Sequence, residues 1–169
     1  LYQNLVKIDK ALENDELAKN PELAKFLNKH ERVHILGLYS DGGVHSHLRH
    51  FDGLIKICKK ANKKCIIHAI TDGRDTSPSS GADFIKHLSQ NHQIATICGR
   101  FYAMDRDKRY ERVKMAYEVI ANNENLISLN PYEYIKNNYE NKIFDEFIKP
   151  ASFYDFGGVK NNDGIICIN

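Results

Sequence analysis

Three short apolar runs, each followed by a polar loop and an amphipathic segment, constrain the fold of this sequence more than any other feature. The runs begin at residues 33, 65 and 94, so their starts lie 32 and 29 residues apart. That spacing suits a strand, a crossover helix and the next parallel strand, because hairpin partners lie much closer in sequence. We therefore expect an α/β fold: a three-layer α/β/α sandwich with a mostly parallel central sheet built from successive βαβ units.

The segments between these runs have the periodicity of helices. Apolar residues recur at three- and four-residue steps from Leu48 to Cys58, which predicts a helix that ends near Lys60. The strands are expected at 33–38, 65–70, 94–98 and 165–169, and the other helices at 3–13, 22–30, 82–88, 113–120 and after residue 131.

The loops after the first three strands are rich in charged and titratable residues. Successive right-handed βαβ units bring such loops to one edge of the sheet, where α/β proteins bind their ligands. The sequence therefore predicts a ligand site at this edge. The residues expected there are Asp41, His45, Asp72, Arg74, Asp75, Arg100, Asp105 and Arg106.

Arginine is concentrated in and just after two of these loops. Only seven of the 24 basic residues are arginine, and five of the seven lie between residues 74 and 112. Segment 100–114 holds six basic and three acidic residues, and its +3 exceeds the +2 of the whole chain. A guanidinium binds phosphate or carboxylate bidentately, and each such bond is worth roughly 1.5–3 kcal/mol. The clustering therefore favours a small anion as ligand.

Two simpler interpretations stay open for these charges. Arg109, Arg112 and Lys114 lie within salt-bridging reach of nearby acidic residues, which is also consistent with a solvated helix face. The sequence Asp72 to Asp75 is also consistent with a turn that is locked only by its own charges.

Two residues at this edge suit acid–base chemistry. Asp75, beside Arg74, is a candidate acid or base, and His45 is a candidate donor to an oxyanion. His45, His47 and His50 do not predict a metal site, since the first two are two apart and share no helix face. The sequence has no GxSxG, Walker or GxGxxG motif. The pattern predicts a substrate clamp without a nucleophile of its own.

Charge and hydropathy exclude other classes of protein. A net charge of +2 is too small for a general binder of nucleic acid or anionic membranes, and no apolar run approaches the ~20 residues of a membrane helix. We expect a cytoplasmic protein whose four cysteines are buried and reduced. Because the chain starts at Leu1 and stops within an apolar run, we also expect a domain of a longer protein.

Three long motifs carry a resemblance to a known family. The strings GLYSDGGVHSH (37–47), TDGRDTSP (71–78) and GRFYAMDRDKRYERV (99–113) resemble, in order and spacing, the signature blocks of cofactor-independent phosphoglycerate mutase. The opening LYQNLVKIDKAL and the closing DGIICIN resemble its flanks, so the resemblance covers nearly the whole chain. The sequence departs from the family's pattern at Ser77, Cys98 and Tyr110, and its segment 79–93 is shorter than is usual in the family.

The resemblance implies a reaction and assigns its parts to two domains. Residues 1–169 would be the substrate-binding domain, inserted into a phosphatase-like domain that carries a phosphorylatable serine and two Mn²⁺ ions. The full-length enzyme would be a monomeric isomerase that interconverts 3-phosphoglycerate and 2-phosphoglycerate in glycolysis without 2,3-bisphosphoglycerate, and this chain alone would be inactive and hold no metal or cofactor. The implied substrate-binding residues are His45, Arg74, Asp75, Arg100 and Arg106, with Asp75 also catalytic.

Two other functions remain as alternatives. One is a non-catalytic phosphate-sensing module that uses the same sheet edge. The other is single-stranded nucleic-acid binding through segment 100–114, with Phe101, Tyr102 and Tyr110 as stacking rings.

Overall fold

A computed structural model describes residues 4–168 as one mixed α/β unit. Its helices are α1 (Asn4–Glu13), α2 (Pro21–Lys29), α3 (Leu48–Lys60), α4 (Gly81–Asn91), α5 (Arg100–Ala103), α6 (Tyr110–Asn122) and α7 (Pro131–Glu140). Its strands are β1 (Arg32–Leu38), β2 (Lys64–Thr71), β3 (Ile94–Gly99), β4 (Ala151–Ser152) and β5 (Gly164–Ile168), and a short 3₁₀ helix spans Asp145–Phe147. Within this part of the chain, no helix is long and apolar enough to cross a membrane.

The strands form one sheet in the order β4-β3-β2-β1-β5. Strands β1, β2, β3 and β5 are parallel, and only the two-residue β4 runs antiparallel, against β3. The expected mostly parallel sheet is therefore confirmed. Strand β4 was not expected, because two residues are too few to show an alternating pattern.

One face of the sheet carries the main core. Val33 and Ile35 of β1 and Ile67 of β2 are buried in a cluster that also contains residues from the covering helices. Alternate strand residues point to this face, as the two-residue period of a strand requires. The helical members are Phe51 and Ile55 of α3, Ile85 and Leu88 of α4, and Ile135 of α7.

The opposite face is covered by α6 and by the segment around Phe156. Leu36 of β1 and Ile70 of β2 line a groove with Ile120 of α6, while Ile66 of β2 packs against Phe156. Helices therefore lie on both faces of the sheet, which confirms the three-layer arrangement.

The four cysteines are free thiols, but they are not all buried. Cys58 and Cys98 are buried, Cys65 is partly exposed and Cys167 is exposed. The expectation of burial is wrong for Cys167, because β5 is an edge strand and its alternate residues face outward.

Candidate functional site

The five residues predicted to bind substrate lie together at the carboxyl edge of the sheet. His45 follows β1, Arg74 and Asp75 follow β2, and Arg100 directly follows β3. With Arg106, these residues line one cleft of about 410 Å³. The parallel topology explains this convergence, since it places the three loops side by side. Their role in binding stays a prediction.

Arg100 is at the centre of this cleft. Its Nη1 donates to Asp72 Oδ1 and to Asp75 Oδ2, both at 2.7 Å, and its Nη2 lies 3.1 Å from His45 Nε2. A guanidinium only donates, so His45 Nε2 accepts and the ring is neutral with its proton on Nδ1. The Arg100 side chain is only 10% exposed, which makes it a partly enclosed cation.

Asp72 binds the loops from all three strands together, although its side chain is only 1% exposed. Its Oδ2 accepts from Ser40 Oγ at 2.7 Å, and its Oδ1 accepts from the backbone N–H groups of Arg74 at 3.1 Å and Asp75 at 3.0 Å. Burial opposes ionisation, but the hydrogen bonds from Asp75, Ser40, Arg100 and Arg74 outweigh it and lower the pKa of Asp72.

Arg74 is more accessible than Arg100. Its side chain is 49% exposed, and its Nη1 lies 3.7 Å from Glu146 Oε1 of the 3₁₀ helix. The preceding Gly73 has a φ of +74°, and a Cβ there would lie 2.9 Å from the backbone nitrogen of Glu146. Glycine at 73 therefore permits the close approach that places Glu146 opposite Arg74.

Arg106 lies on an ordered loop. The Asp105 carboxylate accepts from the N–H groups of Asp107 at 3.2 Å and Arg109 at 2.8 Å, and from Arg112 Nη1 at 3.0 Å. These bonds hold the loop, and the exposed Arg106 side chain lines the cleft. Arg106 is therefore available to a ligand.

Arg112 does not lie on a simple solvated face. Its guanidinium stacks 3.8 Å above the centre of the Phe101 ring while it pairs with Asp105, and it lines the cleft. Lys114 does match the solvated interpretation, since it is exposed and pairs with Glu118 at 3.4 Å. Because Arg112 covers Phe101, that ring is a poor stacking platform for nucleic-acid bases, which weakens that alternative.

Several residues that line the cleft were not identified from the sequence. Glu146 and Phe147 come from the 3₁₀ helix, some 45 residues after Arg100 in the chain. A Cβ at Gly99 would overlap the backbone carbonyl of Glu146, so the absence of a side chain there lets the two segments meet. No local motif marks this contact, and only the unusual requirement for glycine hints at it.

The residues of this edge do not fit a metal site. Asp72 and Asp75 are both bound to Arg100, His47 Nδ1 accepts from the Arg49 N–H, and His50 Nε2 pairs with Asp9. In the described range 4–168, no three His, Cys, Asp or Glu side chains group so as to hold a metal ion.

Chemically, the cleft presents four arginines, Arg74, Arg100, Arg106 and Arg112, together with the carboxylates of Asp75, Asp105, Asp107 and Glu146. This arrangement suits a small ligand with more than one anionic group, and Asp75 can exchange a proton with such a ligand.

The chain is similar to known proteins in sequence and in fold. A family model described as the BPG-independent PGAM N-terminus matches residues 8–169. Two 2,3-bisphosphoglycerate-independent phosphoglycerate mutases are similar in sequence: one from Campylobacter jejuni is 51% identical over 174 residues, and one from Helicobacter pylori is 48% identical over 173. Both alignments cover 100% of this chain and 35% of the relative, so the chain spans about a third of their length.

A solved structure is also similar. The crystal structure of Leishmania mexicana phosphoglycerate mutase at low cobalt concentration superposes with a TM-score of 0.87 and 25% sequence identity. The superposition covers 96% of this chain and 34% of that one.

Proposed function

Because this chain belongs to the BPG-independent phosphoglycerate mutase family, we propose that it forms the substrate-binding domain of an enzyme that interconverts 3-phosphoglycerate and 2-phosphoglycerate. The observation that carries the proposal is the cleft that Arg74, Arg100, Arg106 and Asp75 line together. Phosphoglycerate has a phosphate and a carboxylate close together, and both are groups that guanidinium binds well.

The three arginines have unequal roles. Arg74 and Arg106 are exposed to the cleft, so they bind the two anionic groups and hold the glycerate while it reorients. Arg100 already binds two carboxylates and contributes its remaining N–H groups at the base of the cleft. His45, held beside Arg100, completes the clamp.

Asp75 moves the proton in this proposal. Its Oδ2 lies in the cleft, 2.7 Å from Arg100 Nη1 and 3.9 Å from His45 Nε2. When the phosphoryl group returns to a glycerate hydroxyl, the new P–O bond forms as the P–O bond to the serine breaks. Asp75 accepts the proton that the hydroxyl loses, and the serine oxygen would leave as an alkoxide on the phosphatase-like domain.

The remaining parts of the reaction belong to the rest of the polypeptide. The phosphoserine and the two Mn²⁺ ions would lie on a phosphatase-like domain, where the metals would stabilise the charge of the transferring phosphoryl group. We further propose that the complete enzyme is a cytoplasmic monomer.

The test compares the complete gene product with the 169-residue chain. We expect the complete product to interconvert the two phosphoglycerates without added 2,3-bisphosphoglycerate. We expect the chain alone to bind 3-phosphoglycerate by isothermal titration calorimetry without converting it. Turnover by the chain alone would contradict the two-domain division, whereas binding without turnover by the complete product would favour a phosphate-sensing module.

A further inference from the structure

We infer that Asp72 is a positioning residue, which holds Asp75 and Arg100 in the geometry that the reaction needs. The inference rests on the proposed function in one respect, namely that Asp75 and Arg100 meet the substrate. Asp72 itself lies beneath the cleft and is not among the residues that line it.

The geometry shows that Asp72 holds Asp75 at two points. Its Oδ1 accepts from the backbone N–H of Asp75 at 3.0 Å, which orients the main chain. The same oxygen accepts from Arg100 Nη1, and that nitrogen also donates to Asp75 Oδ2, which orients the side chain. A shift of Asp72 would therefore displace both the proposed base and its cationic partner.

The charge of Asp72 has a role that is separable from its turn. A turn that closes on the N–H groups of Arg74 and Asp75 needs only a side-chain carbonyl oxygen, which asparagine also supplies. The negative charge matters to Arg100, because two carboxylates share this one cation. If Asp72 were neutral, Asp75 would be the one remaining carboxylate bound to Arg100.

Other titratable and charged groups lie near Asp75 and would persist in a variant of Asp72. His45 Nε2 lies 3.9 Å from Asp75 Oδ2, and Arg100 Nη1 donates to the same oxygen. Arg74 and Glu146 line the same cleft, and Asp145 of the 3₁₀ helix is near enough to Asp72 for their charges to interact.

The decisive variant is Asp72→Asn, which is nearly isosteric with the wild type. Its amide oxygen can still accept from the Arg74 and Asp75 N–H groups, and its NH₂ group can donate to Ser40 Oγ. Ser40→Ala is the matched control, because it removes the hydrogen bond to Asp72 Oδ2 and leaves the charge in place.

The first measurement is NMR of the Asp75 carboxyl carbon and the Arg100 guanidinium nitrogens in the 169-residue chain. We expect Asp72→Asn to shift both sets of resonances, since it removes one of the two carboxylates that share Arg100. Ser40→Ala should leave them close to their wild-type positions. Unchanged resonances in Asp72→Asn would overturn the inference, whether or not the chain belongs to a working mutase.

The second measurement is the pH profile of kcat in the complete gene product. We expect Asp72→Asn to reduce kcat about tenfold, because misplaced reacting groups slow the chemical step, and to shift the pH profile of kcat. Ser40→Ala should stay close to wild type. A purely structural role would lower activity without shifting the profile. An unaltered kcat and profile would overturn the inference, whereas an inactive wild type would count against the proposed function and leave the NMR result to decide on Asp72.

Discussion

Two polar clusters on the same strands differ in charge and exposure. The edge cluster consists of His45, Asp72, Asp75 and Arg100 and opens into the cleft. The histidine chain consists of Asp163, His34, His68 and Thr96 and crosses the sheet interior. Its links are His34 Nε2 to Asp163 Oδ2 at 3.0 Å, His34 Nδ1 to His68 Nε2 at 2.8 Å, and His68 Nδ1 to Thr96 Oγ1 at 2.8 Å.

Depth determines the protonation of the histidine chain. Burial lowers the pKa of His68 to about 3, and burial also lowers the pKa of His34 despite the neighbouring Asp163. One proton arrangement then satisfies every link: Thr96 donates to His68, His68 to His34, and His34 to Asp163. The edge cluster instead keeps full charges, because its carboxylates and guanidinium compensate one another.

The comparison teaches that similar residue types form an open, charged cluster at the edge and a neutral, hydrogen-bonded chain in the interior. Strand ends expose charges to a ligand, whereas strand centres can hold only neutral, fully hydrogen-bonded polar groups.

The largest expected effect is that of Arg100→Ala on the edge cluster. The change would remove the proposed charge-assisted contact to the substrate and the ion pair that holds Asp75. We therefore expect KM for 3-phosphoglycerate in the complete product to rise about 100-fold, or about 3 kcal/mol. Steady-state kinetics measures it, and an unaltered KM would contradict the clamp. Arg106→Ala is the comparison variant: it should raise KM less and leave the free energy of unfolding unchanged, because its side chain is exposed.

His34→Ala should show the opposite pattern. It leaves Asp163 and His68 without their shared partner and creates a cavity, so we expect the free energy of unfolding to fall by about 3 kcal/mol. Urea denaturation of the chain measures this loss, and calorimetry should show unchanged affinity for 3-phosphoglycerate. A large loss of affinity with intact stability would show that the two clusters are not separate.

The pH dependence of stability tests the neutral histidine chain. His68 has a lowered pKa in the folded state, so its contribution is complete above pH 6.5 and declines as the pH falls toward 3. We expect the difference in unfolding free energy between the wild type and His68→Gln to fall by about 2 kcal/mol when the pH is lowered from about 7 to about 5. Urea denaturation of both proteins at the two pH values measures it.

Asp145 changes the free energy of unfolding with pH in the opposite direction, but its effect cancels from this difference. Burial raises the pKa of Asp145 to about 6, so its contribution is complete below its unfolded pKa and is lost as the pH rises through 6. It is present in both proteins and cancels in the difference. A difference that does not vary with pH would show that His68 titrates normally.

The smallest expected effects are those of replacing Arg112 in α6 and Arg109, the residue before α6. Arg112→Ala should weaken binding of 3-phosphoglycerate by the chain several-fold, because Arg112 lines the cleft and supports Asp105. Arg109→Ala should change affinity less than twofold and stability by less than about 0.5 kcal/mol, since its side chain is exposed. Equal losses of affinity in calorimetry would indicate that Arg109 and Arg112 both belong to a solvated helix face.

Strands and helices were predictable because their signals are local. Strand β1 was expected at 33–38 and spans Arg32–Leu38, and α6 was expected at 113–120 and spans Tyr110–Asn122. Apolar periodicity is a property of residues close together in the sequence, so it can be recognised without knowledge of the fold. By contrast, α5 was expected to be part of a loop, since a four-residue helix has too little periodicity to be recognised.

The position of the site was also predictable, but its internal contacts were not. Parallel connections require His45, Asp75 and Arg100 to meet at one edge, whatever the details of packing. The bonds of Asp72 to all three loops and the arrival of Glu146 opposite Arg74 depend on distances across the sheet. No spacing in the sequence encodes those distances.

The sequence by itself determined the parallel α/β sheet, the edge at which the loops after its strands meet and the residue types that these loops contain, because these follow from periodicity, handedness and composition. Only the tertiary structure decided which charges pair, that Arg100 is shared by two carboxylates, and that His34 and His68 form a neutral chain. These depend on burial and on hydrogen-bond geometry within fractions of an ångström, and both arise only when distant segments pack together.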